Sequence, residues 1–473
     1  MSLRALQRLA LCVALLSLVF AGLSTFEALS LIEPRSGANR LVLVRVGYAL
    51  AAFSLAALAA VLALCAVWWP RSLKVLLTLL ALTWGPLFVA DQVYFSQVKS
   101  SSLQARARQL GIAWDKRGVA EVVRDLRLHD PNHYPESSAV SFVDHEHSGW
   151  PPYLSVGGRN VIPLASIANT RLVSCNESGS YPVYPTDRYG FNNPDSLWAH
   201  ASFDAIIIGD SFARGACVEQ GEDVAGQMRT AYPATLNLGM PGTGPLTSVA
   251  VLREYTLDRR AQFLFWLHYG NDLADTAREL HHPIISRYMD PGFSQGLEAS
   301  LAEVDASYRE FIDKRIATSR VPWRVWLERV TASAVSKNLT GLAIGRGRDA
   351  LRDSAPDTGP PDTGQLQAVL KVLEGEAARL EAELVVVYLP GPIHLFTGKE
   401  EEAEQAHKAA VLAIAQNMGL PKIDIDSAFR EAGDLPRFWA LGGLAHFSPE
   451  GYALIAQELV KFMQSAQLAG AGQ

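Results

Sequence analysis

The chain has 473 residues, 49% of them apolar and 19% charged, and carries a net charge of −6 at pH 7. This length can hold more than one folded unit. The acidic balance provides no basic face for nucleic acid, so nucleic-acid binding is excluded. The first 95 residues are very apolar, whereas the remainder has the composition of a water-soluble protein.

Three apolar stretches open the chain: Leu9–Phe26, Leu41–Trp69 and Leu73–Ala90. Each approaches or exceeds the roughly 20 residues that a helix needs to cross a bilayer. We therefore predict three transmembrane helices within residues 1–95. The alternatives are a cleaved signal peptide for the first stretch, or a buried helical hairpin. Lys and Arg near the ends of the stretches favour a cytoplasmic N-terminus by a small margin, which places the chain after Tyr94 outside the cytoplasm.

Two cysteines, Cys175 and Cys217, occur in the part of the chain that follows the apolar stretches. Outside the cytoplasm this pair would lie in an oxidising compartment, where disulfides form and persist. We predict that the two residues form a disulfide. The alternative is a pair of reduced, buried thiols.

Residues 96–195 are predicted to form a helical stalk followed by an extension that packs on the main domain. Apolar residues recur at helical spacing between Val119 and Leu126. From Asp130 to Pro194 the sequence is rich in turn residues and short strand-like runs, with frequent prolines.

Five short apolar runs in residues 196–473 are typical of buried parallel strands. These runs are Ala205–Ile208, Leu236–Gly239, Phe263–Leu267, Leu384–Leu389 and Ile423–Ile425. Helical stretches lie between them, and strands that alternate with helices predict an α/β fold with a doubly wound parallel sheet. A segment from about residue 276 to 364 interrupts the alternation, and we predict that it is a helical insertion.

Candidate catalytic residues follow the predicted strands, at the edge where open α/β sheets bind their ligands. Ser211 ends the motif Gly-Asp-Ser directly after the first strand, and a serine on such a turn can hold its hydroxyl clear of the backbone for attack on a carbonyl. The alternative is an ordinary turn that caps a helix. His446 lies just before Ser448 and Pro449, which read as the start of the last helix. An imidazole there can accept the serine proton and return it to the leaving group.

Two further residues at strand ends are candidate donors to an oxyanion. Gly242 follows the second strand, and its backbone N–H is accessible because no side chain blocks the approach. Asn271 follows the third strand and offers a side-chain amide. The alternatives are a plain glycine loop and a turn asparagine.

The four candidates resemble the motifs of the SGNH family, also called GDSL hydrolases, which is named for Ser, Gly, Asn and His in that order. The order here is Ser211, Gly242, Asn271 and His446, over roughly residues 200 to 465. The segments Cys175–Glu177 and Asp187–Pro194 are similar to a bacterial, membrane-linked branch of the family. The resemblance implies a three-layer, flavodoxin-like fold and ester chemistry without a metal or organic cofactor. It also implies an oxyanion hole made by Gly242, Asn271 and the backbone N–H of Ser211.

Two positions depart from the family pattern. Tyr269 stands where the third motif usually begins with glycine, and Gly443 stands where an aspartate usually precedes the histidine by three residues. The imidazole would then lack its usual orienting carboxylate. The candidates to replace it are a backbone carbonyl or one of three carboxylates: Asp424, Asp426 and Asp434. Loss of the carboxylate slows a serine enzyme by about 10⁴-fold in one well-studied triad.

These features predict a serine esterase, anchored in the inner membrane of a bacterium by several spans, with its catalytic domain in the periplasm. The expected substrates are O-acyl esters, above all O-acetyl esters, of cell-surface polysaccharide. One alternative is an O-acetyltransferase that uses the same serine and histidine. A second is a non-catalytic, glycan-binding or scaffold subunit with a degenerate site. The expected partners are therefore an acylated carbohydrate and the membrane.

Overall fold

The computed structural model of the protein describes residues 103–318, 363–396, 398–443 and 445–471. The three predicted transmembrane helices, within residues 1–95, lie outside these ranges. Residues 319–362, the second half of the predicted insertion, also lie outside them. Among the helices of the described ranges, none combines the length and the hydropathy that crossing a bilayer requires.

The region predicted to be a stalk forms two helices in its described part. The first covers residues 103–109, and the second is Val119–Arg127. The loop between them passes through Gly111, which has φ +71°. The second helix begins with a hydrogen bond from the Gly118 N–H to the Glu121 carboxylate at 2.8 Å, which satisfies a free backbone donor.

The extension that follows contains five short strands. They are β1 (His133–Pro135), β2 (Leu154–Val156), β3 (Arg159–Val161), β4 (Arg171–Val173) and β5 (Val183–Pro185). β4 is the centre of a three-stranded sheet, with β1 parallel on one side and β5 antiparallel on the other, while β2 and β3 form a separate antiparallel pair. The short helices of this region are Val140–Val143, His145–Ser148 and the 3-10 helix Asp195–Ala199.

A parallel sheet of five strands forms the centre of the following domain. Its strands are β6 (Ser202–Gly209), β7 (Thr235–Asn237), β8 (Arg260–His268), β9 (Glu383–Tyr388) and β10 (Lys422–Asp424). Their spatial order is β10-β9-β8-β6-β7, and all neighbours are parallel. Counted from β6, this is the order 2-1-3-4-5 of flavodoxin-like sheets, in which the order reverses between the first and third strands. The predicted parallel α/β fold is confirmed.

Helices connect and cover these strands. They are Ser211–Arg214, Val224–Met228, Pro245–Tyr255, Asp272–His281, Leu301–Thr318, Gly364–Arg379, Lys399–Asn417, Ile425–Ala432 and Pro449–Ala471, with 3-10 helices at Ile285–Met289, Leu435–Phe438 and Ala440–Gly442. The predicted fifth strand, Ile423–Ile425, is shifted by one residue: β10 begins at Lys422 and ends at Asp424. It ends there because the Asp424 carboxylate accepts from the Ser427 N–H at 3.3 Å and caps the helix that begins at Ile425.

Both faces of the sheet are buried, which explains why its strands are almost continuously apolar. Ile206 and Ile208 face one apolar cluster, whereas Ala205 and Ile207 face the other. All four side chains have no exposed surface. Burial of one isoleucine side chain contributes about 1.5–3 kcal/mol. The sheet therefore lies between two helical layers, and the polar candidates are left to its carboxyl edge.

Candidate active site

Ser211 lies at the carboxyl edge of the sheet, next to the point where the strand order reverses. β6 ends at Gly209, and a short helix begins at Ser211. Gly209 has φ +141°, and a Cβ there would lie 2.7 Å from the carbonyl oxygen of Leu267 on β8, so the turn requires glycine. The Asp210 carboxylate accepts a backbone N–H of the first helical turn at 2.9 Å. The turn therefore presents a partly exposed serine on a rigid, buried base.

His446 approaches the serine from the loop before the last helix. Its Nε2 lies 2.9 Å from Ser211 Oγ, which is a hydrogen-bonding distance. The loop is held by an isolated β-bridge between Trp439 and Phe447, and by a hydrogen bond from the Ala440 N–H to the His446 carbonyl oxygen at 2.9 Å. The structure therefore brings together the first and the last of the four residues that the sequence pointed to.

The other side of the imidazole contacts Glu177, a residue of the extension. Glu177 Oε1 lies 3.1 Å from His446 Nδ1, and Oε2 accepts the backbone N–H of His446 at 2.7 Å. A carboxylate can only accept, so Nδ1 carries the ring proton and Nε2 is free to accept the proton of the serine. Both side chains are mostly shielded, with 23% of the histidine and 17% of the glutamate exposed. One carboxylate thus fixes both the tautomer and the position of the ring.

The charges around His446 act on its basicity. Burial by itself lowers the pKa of the imidazole, but the hydrogen bond and charge of Glu177, together with the charges of Asp210 and Glu136, more than offset this effect. The pKa of His446 is therefore raised above its ordinary value of 6.5. A higher pKa makes the ring a stronger base toward the serine hydroxyl.

The carboxylate at His446 is not one of those predicted from the sequence. Gly443 has no side chain that could serve, and among the described residues Asp424, Asp426 and Asp434 form no hydrogen bond with the imidazole. Asp424 and Asp426 both contact Lys408, with Oδ2–Nζ distances of 3.3 and 2.6 Å. The suggestion of a backbone carbonyl as the partner was also wrong, because Nδ1 faces a side chain from far away in the sequence.

The predicted disulfide is confirmed, and it explains how Glu177 reaches the histidine. Cys175 and Cys217 are bonded, with their Cα atoms 4.9 Å apart. Cys217 follows Ser211 by six positions, and Glu177 follows Cys175 by two. The predicted cysteine pair, which joins the extension to the segment after the serine turn (residues 209–211), was therefore the feature of the sequence that could have pointed to Glu177. Sequence reasoning missed Glu177 because it searched for the carboxylate only near the histidine.

Gly242 lies on the loop after β7, which is attached to the serine turn. The Met240 N–H donates to the Gly209 carbonyl oxygen at 3.1 Å. Gly242 has φ +67°, and a Cβ there would lie 3.0 Å from a side-chain methyl of Val140 in the extension. Glycine is therefore required both by the backbone conformation and by the close packing. The N–H of Ser211, at the first position of its helix, has no partner within that helix.

Asn271 lies at the start of the helix that follows β8. Its Nδ2 donates to Asp275 Oδ2 at 2.6 Å, which fixes the amide and leaves the second amide proton free of partners within the described residues. Tyr269, two positions before Asn271, stacks on Phe212 with ring centroids 3.8 Å apart. This aromatic contact connects the segment after β8 to the residue after Ser211.

A buried ion pair connects the extension to the serine helix, Ser211–Arg214. The Arg214 guanidinium, 1% exposed, forms a salt bridge with Glu136. It also lies over the ring of Tyr184, with its central carbon 4.3 Å from the ring centroid. Tyr184 in turn donates to Glu136 at 2.9 Å. The extension is therefore part of the site's supporting structure, because a buried charge needs its partner to remain in place.

Two buried carboxyl groups lie behind the serine. Burial, and then the negative charge of Asp272, raises the pKa of Asp210 to about 7. Burial likewise raises the pKa of Asp272 well above its ordinary value. His268, which contacts Asp272 at 3.0 Å, has its pKa lowered to about 3, mainly by burial. Around pH 7 Asp272 and His268 are therefore largely uncharged, whereas Asp210 is about half ionised.

Comparisons with known proteins find similar solved structures but no matching family model. No protein-family model matches this chain, and no curated protein matches it. Solved structures similar to it include a member of the lipolytic protein G-D-S-L family from Veillonella parvula, at 12% identity and a TM-score of 0.30, covering 54% of this chain and 96% of that one. A putative lipolytic protein of the G-D-S-L family from Desulfitobacterium hafniense matches at 11% identity and a TM-score of 0.30, covering 55% and 99%. A GDSL-like lipase from Bacteroides thetaiotaomicron matches at 9% identity and a TM-score of 0.29, covering 58% and 92%.

Similarities at this level do not establish a family or an activity. What the chain itself shows is an α/β protein with a parallel sheet, and a serine, a histidine and a glutamate in contact at its carboxyl edge. A function for this protein is therefore inferred from the contacts among these three residues and not from the similarity to solved structures.

Proposed function

We propose that this protein is a serine esterase of the SGNH type, which hydrolyses acyl esters through an acyl-enzyme on Ser211. One observation carries the proposal: Ser211 Oγ lies 2.9 Å from His446 Nε2, while Glu177 holds the opposite ring nitrogen. A hydroxyl, an imidazole and a carboxylate in line are the groups that activate a serine for attack on a carbonyl carbon.

The first half of the reaction forms the acyl-enzyme. His446 Nε2 accepts the serine proton as Ser211 Oγ attacks the ester carbonyl, and a tetrahedral oxyanion forms. The backbone N–H groups of Ser211 and Gly242 and the amide of Asn271 donate to this oxygen. The protonated imidazole then gives its proton to the oxygen of the departing alcohol, the carbon–oxygen bond breaks, and the acyl group remains on the serine.

The second half releases the acid. His446 accepts a proton from water, the resulting hydroxide attacks the acyl carbon, and the ring returns the proton to Ser211 as the carboxylic acid leaves. Throughout, Glu177 keeps the proton on Nδ1 and stabilises the positive charge that the imidazole gains in each half. The carboxylate itself does not need to accept a proton.

We further propose that the natural substrates are O-acetyl esters of cell-surface polysaccharide, and that the enzyme is an integral protein of the bacterial inner membrane with its site in the periplasm. The three apolar stretches within residues 1–95 support the anchor. The disulfide supports an oxidising compartment. The site supports ester chemistry, because the nucleophile acts on a carbonyl carbon and the oxyanion donors bind its oxygen.

A fluorophosphonate probe tests the proposal on the full chain in detergent. The wild type is expected to be labelled covalently and to hydrolyse p-nitrophenyl acetate, and both properties are expected to be lost in Ser211→Ala. Ser465→Ala, at an exposed serine of the last helix, is the matched control and is expected to behave as the wild type. A wild type that is folded but is neither labelled nor active would refute the esterase and favour a non-catalytic subunit.

Product analysis then tests the substrate class. Acetylated polysaccharide is expected to release acetate in the presence of the wild type and not in the presence of Ser211→Ala. If, instead, added sugar acceptors gain acetyl groups at the expense of acetate release, the same acyl-enzyme serves an acetyltransferase. Water and a sugar hydroxyl compete for one intermediate, so only the products separate the two activities.

A further inference from the structure

Glu177 lies on the loop between β4 and β5, residues 174–182, and not beside a strand of the sheet that carries the serine. We call this segment the carboxylate loop. The two hydrogen bonds between Glu177 and His446 join residues that are 269 positions apart in the sequence. A carboxylate this distant from its histidine depends on whatever holds the carboxylate loop against the serine turn.

Several contacts hold the carboxylate loop to the N-terminal segment. The Asp115 N–H donates to the Gly179 carbonyl oxygen at 2.7 Å, and the Asn176 amide donates to the Asp115 carbonyl oxygen at 3.0 Å. The Tyr181 hydroxyl donates to the Arg117 carbonyl oxygen at 2.6 Å. These bonds order the loop, but none of them fixes its distance from the serine turn.

The disulfide supplies a direct covalent connection, in addition to the ion pair between Arg214 and Glu136. Cys175 precedes Glu177 by two residues, and its partner Cys217 follows the serine helix. The Cys217 sulfur also lies 3.7 Å from His446 Nδ1, on the side of the ring that faces Glu177. One covalent bond thus joins the carboxylate loop to the segment after Ser211, and this bond lies next to the His446 ring that both Glu177 and Ser211 contact.

We infer that the Cys175–Cys217 disulfide is a positioning element of catalysis, which keeps Glu177 on His446, and that the esterase is fully active only when this bond is formed. The inference rests on the proposed esterase function. A chain that still lies in a reducing compartment would hold the serine and the histidine but lack a fixed carboxylate. Activity would then follow export into an oxidising compartment, where the bond forms.

The chemical step is ordinary thiol–disulfide exchange. A dithiol such as dithiothreitol donates two electrons and two protons, the bond between the sulfur atoms breaks, two thiols form, and the reagent closes into its own cyclic disulfide. The carboxylate loop then keeps its hydrogen bonds to the N-terminal segment but loses its covalent attachment. Glu177 contacts His446 for a smaller fraction of the time, and the rate falls with that fraction.

The test compares four states of the full chain: wild type and Glu177→Gln, each oxidised and reduced. Reduction is expected to lower kcat/KM of the wild type at least about tenfold and to change that of Glu177→Gln less than about twofold, since the carboxylate whose position the bond controls is already absent. The assay contains a chelator, because two free thiols beside an imidazole are zinc ligands, and the three groups lie within 4.8 Å of one another.

The double variant Cys175→Ala, Cys217→Ala is the control without a reductant. It is expected to match the reduced wild type, and dithiothreitol is expected to leave its rate unchanged. Fluorophosphonate labelling of the reduced wild type is expected to be slower but to reach completion, which shows that Ser211 remains competent. Absence of labelling in the oxidised wild type would instead refute the proposed function itself.

Three results would overturn the inference. The first is a reduced wild type whose kcat/KM stays within about twofold of the oxidised protein. The second is an equal loss in Glu177→Gln, which would show that the bond acts independently of the carboxylate. The third is a reduced protein that circular dichroism shows to be unfolded at every assay temperature, which would make the bond a requirement for folding and not for positioning.

Discussion

Replacement of Glu177 by glutamine is expected to disable the site without changing its shape. The carboxylate accepts two hydrogen bonds from His446, from the backbone N–H at 2.7 Å and from Nδ1 at 3.1 Å. A backbone N–H can only donate, so the carbonyl oxygen of a glutamine must face it. The amide NH₂ then faces Nδ1, which must accept, and the ring proton moves to Nε2. Nε2 can no longer take the proton of Ser211.

The size of the effect follows from this change of tautomer. In one well-studied triad the corresponding change costs about 10⁴-fold in kcat. Here the imidazole is 23% exposed, so water can partly compensate, and we expect a loss of about 10³-fold, equivalent to about 4 kcal/mol. Glu177→Ala is expected to lose less, about 10²-fold, because no amide then enforces the inactive tautomer.

Steady-state hydrolysis of p-nitrophenyl acetate, measured from about pH 5 to 9, checks this reasoning. The raised pKa of His446 predicts that kcat/KM of the wild type falls as pH decreases through a midpoint above 6.5, where the base becomes protonated. Glu177 is the main cause of the raised pKa of His446, so in Glu177→Ala the midpoint is expected at lower pH. A Glu177→Gln variant that is more active than Glu177→Ala, or an unchanged midpoint in the alanine variant, would refute the role given to the carboxylate.

Three further perturbations test other parts of the site. Asn271→Ala is expected to lower kcat about 10²-fold as an oxyanion donor is removed, and a change confined to KM would argue against that role. Gly242→Ala is expected to destabilise the protein in urea by about 1–3 kcal/mol more than Gly419→Ala. Both glycines have positive φ, +67° and +72°. A Cβ at Gly242 would lie 3.0 Å from a side-chain atom of Val140, whereas a Cβ at Gly419 would have no neighbouring atom within 4 Å. Equal losses would contradict that contact. Between pH 3.8 and about 7 the buried carboxyl of Asp210 stays protonated in the folded state but ionises in the unfolded state, so the wild type loses stability as pH rises. The free energy of unfolding of Asp210→Asn relative to the wild type is therefore expected to increase over this range, by at most about 4 kcal/mol. A difference in melting temperature independent of pH would show that Asp210 does not titrate in this way.

The strands could be predicted from the sequence because they are local and buried on both faces. Apolar runs such as Ala205–Ile208 have a single explanation in a parallel sheet, and the glycine turn at residues 209–211 follows directly from one of them. Boundaries were less accurate where polar side chains decide them. Asn237 ends β7 earlier than predicted, and its amide donates to the carbonyl oxygen of Ala213 at 3.0 Å in the neighbouring turn.

The site could be predicted only in part. Ser211, Gly242, Asn271 and His446 follow strands or precede a helix, so their places on the sheet edge can be inferred from the order of elements. Glu177 follows no strand of this sheet and lies in a turn-rich loop of the extension, and the similarity of Cys175–Glu177 to a family segment gave its carboxylate no role. A pattern that places the carboxylate three residues before the histidine leads to Gly443, where there is no side chain to find.

The amino-acid order by itself determined the parallel sheet, the position of the serine turn and the pair of cysteines that bond, because each depends on residues near in sequence or on a count of one residue type. Only the tertiary structure decided which carboxylate completes the site. Glu177 and His446 are 269 positions apart, and a disulfide and a buried ion pair join the extension to the residues that follow Ser211. Contacts of that kind depend on how segments far apart in sequence pack together, which no local pattern records.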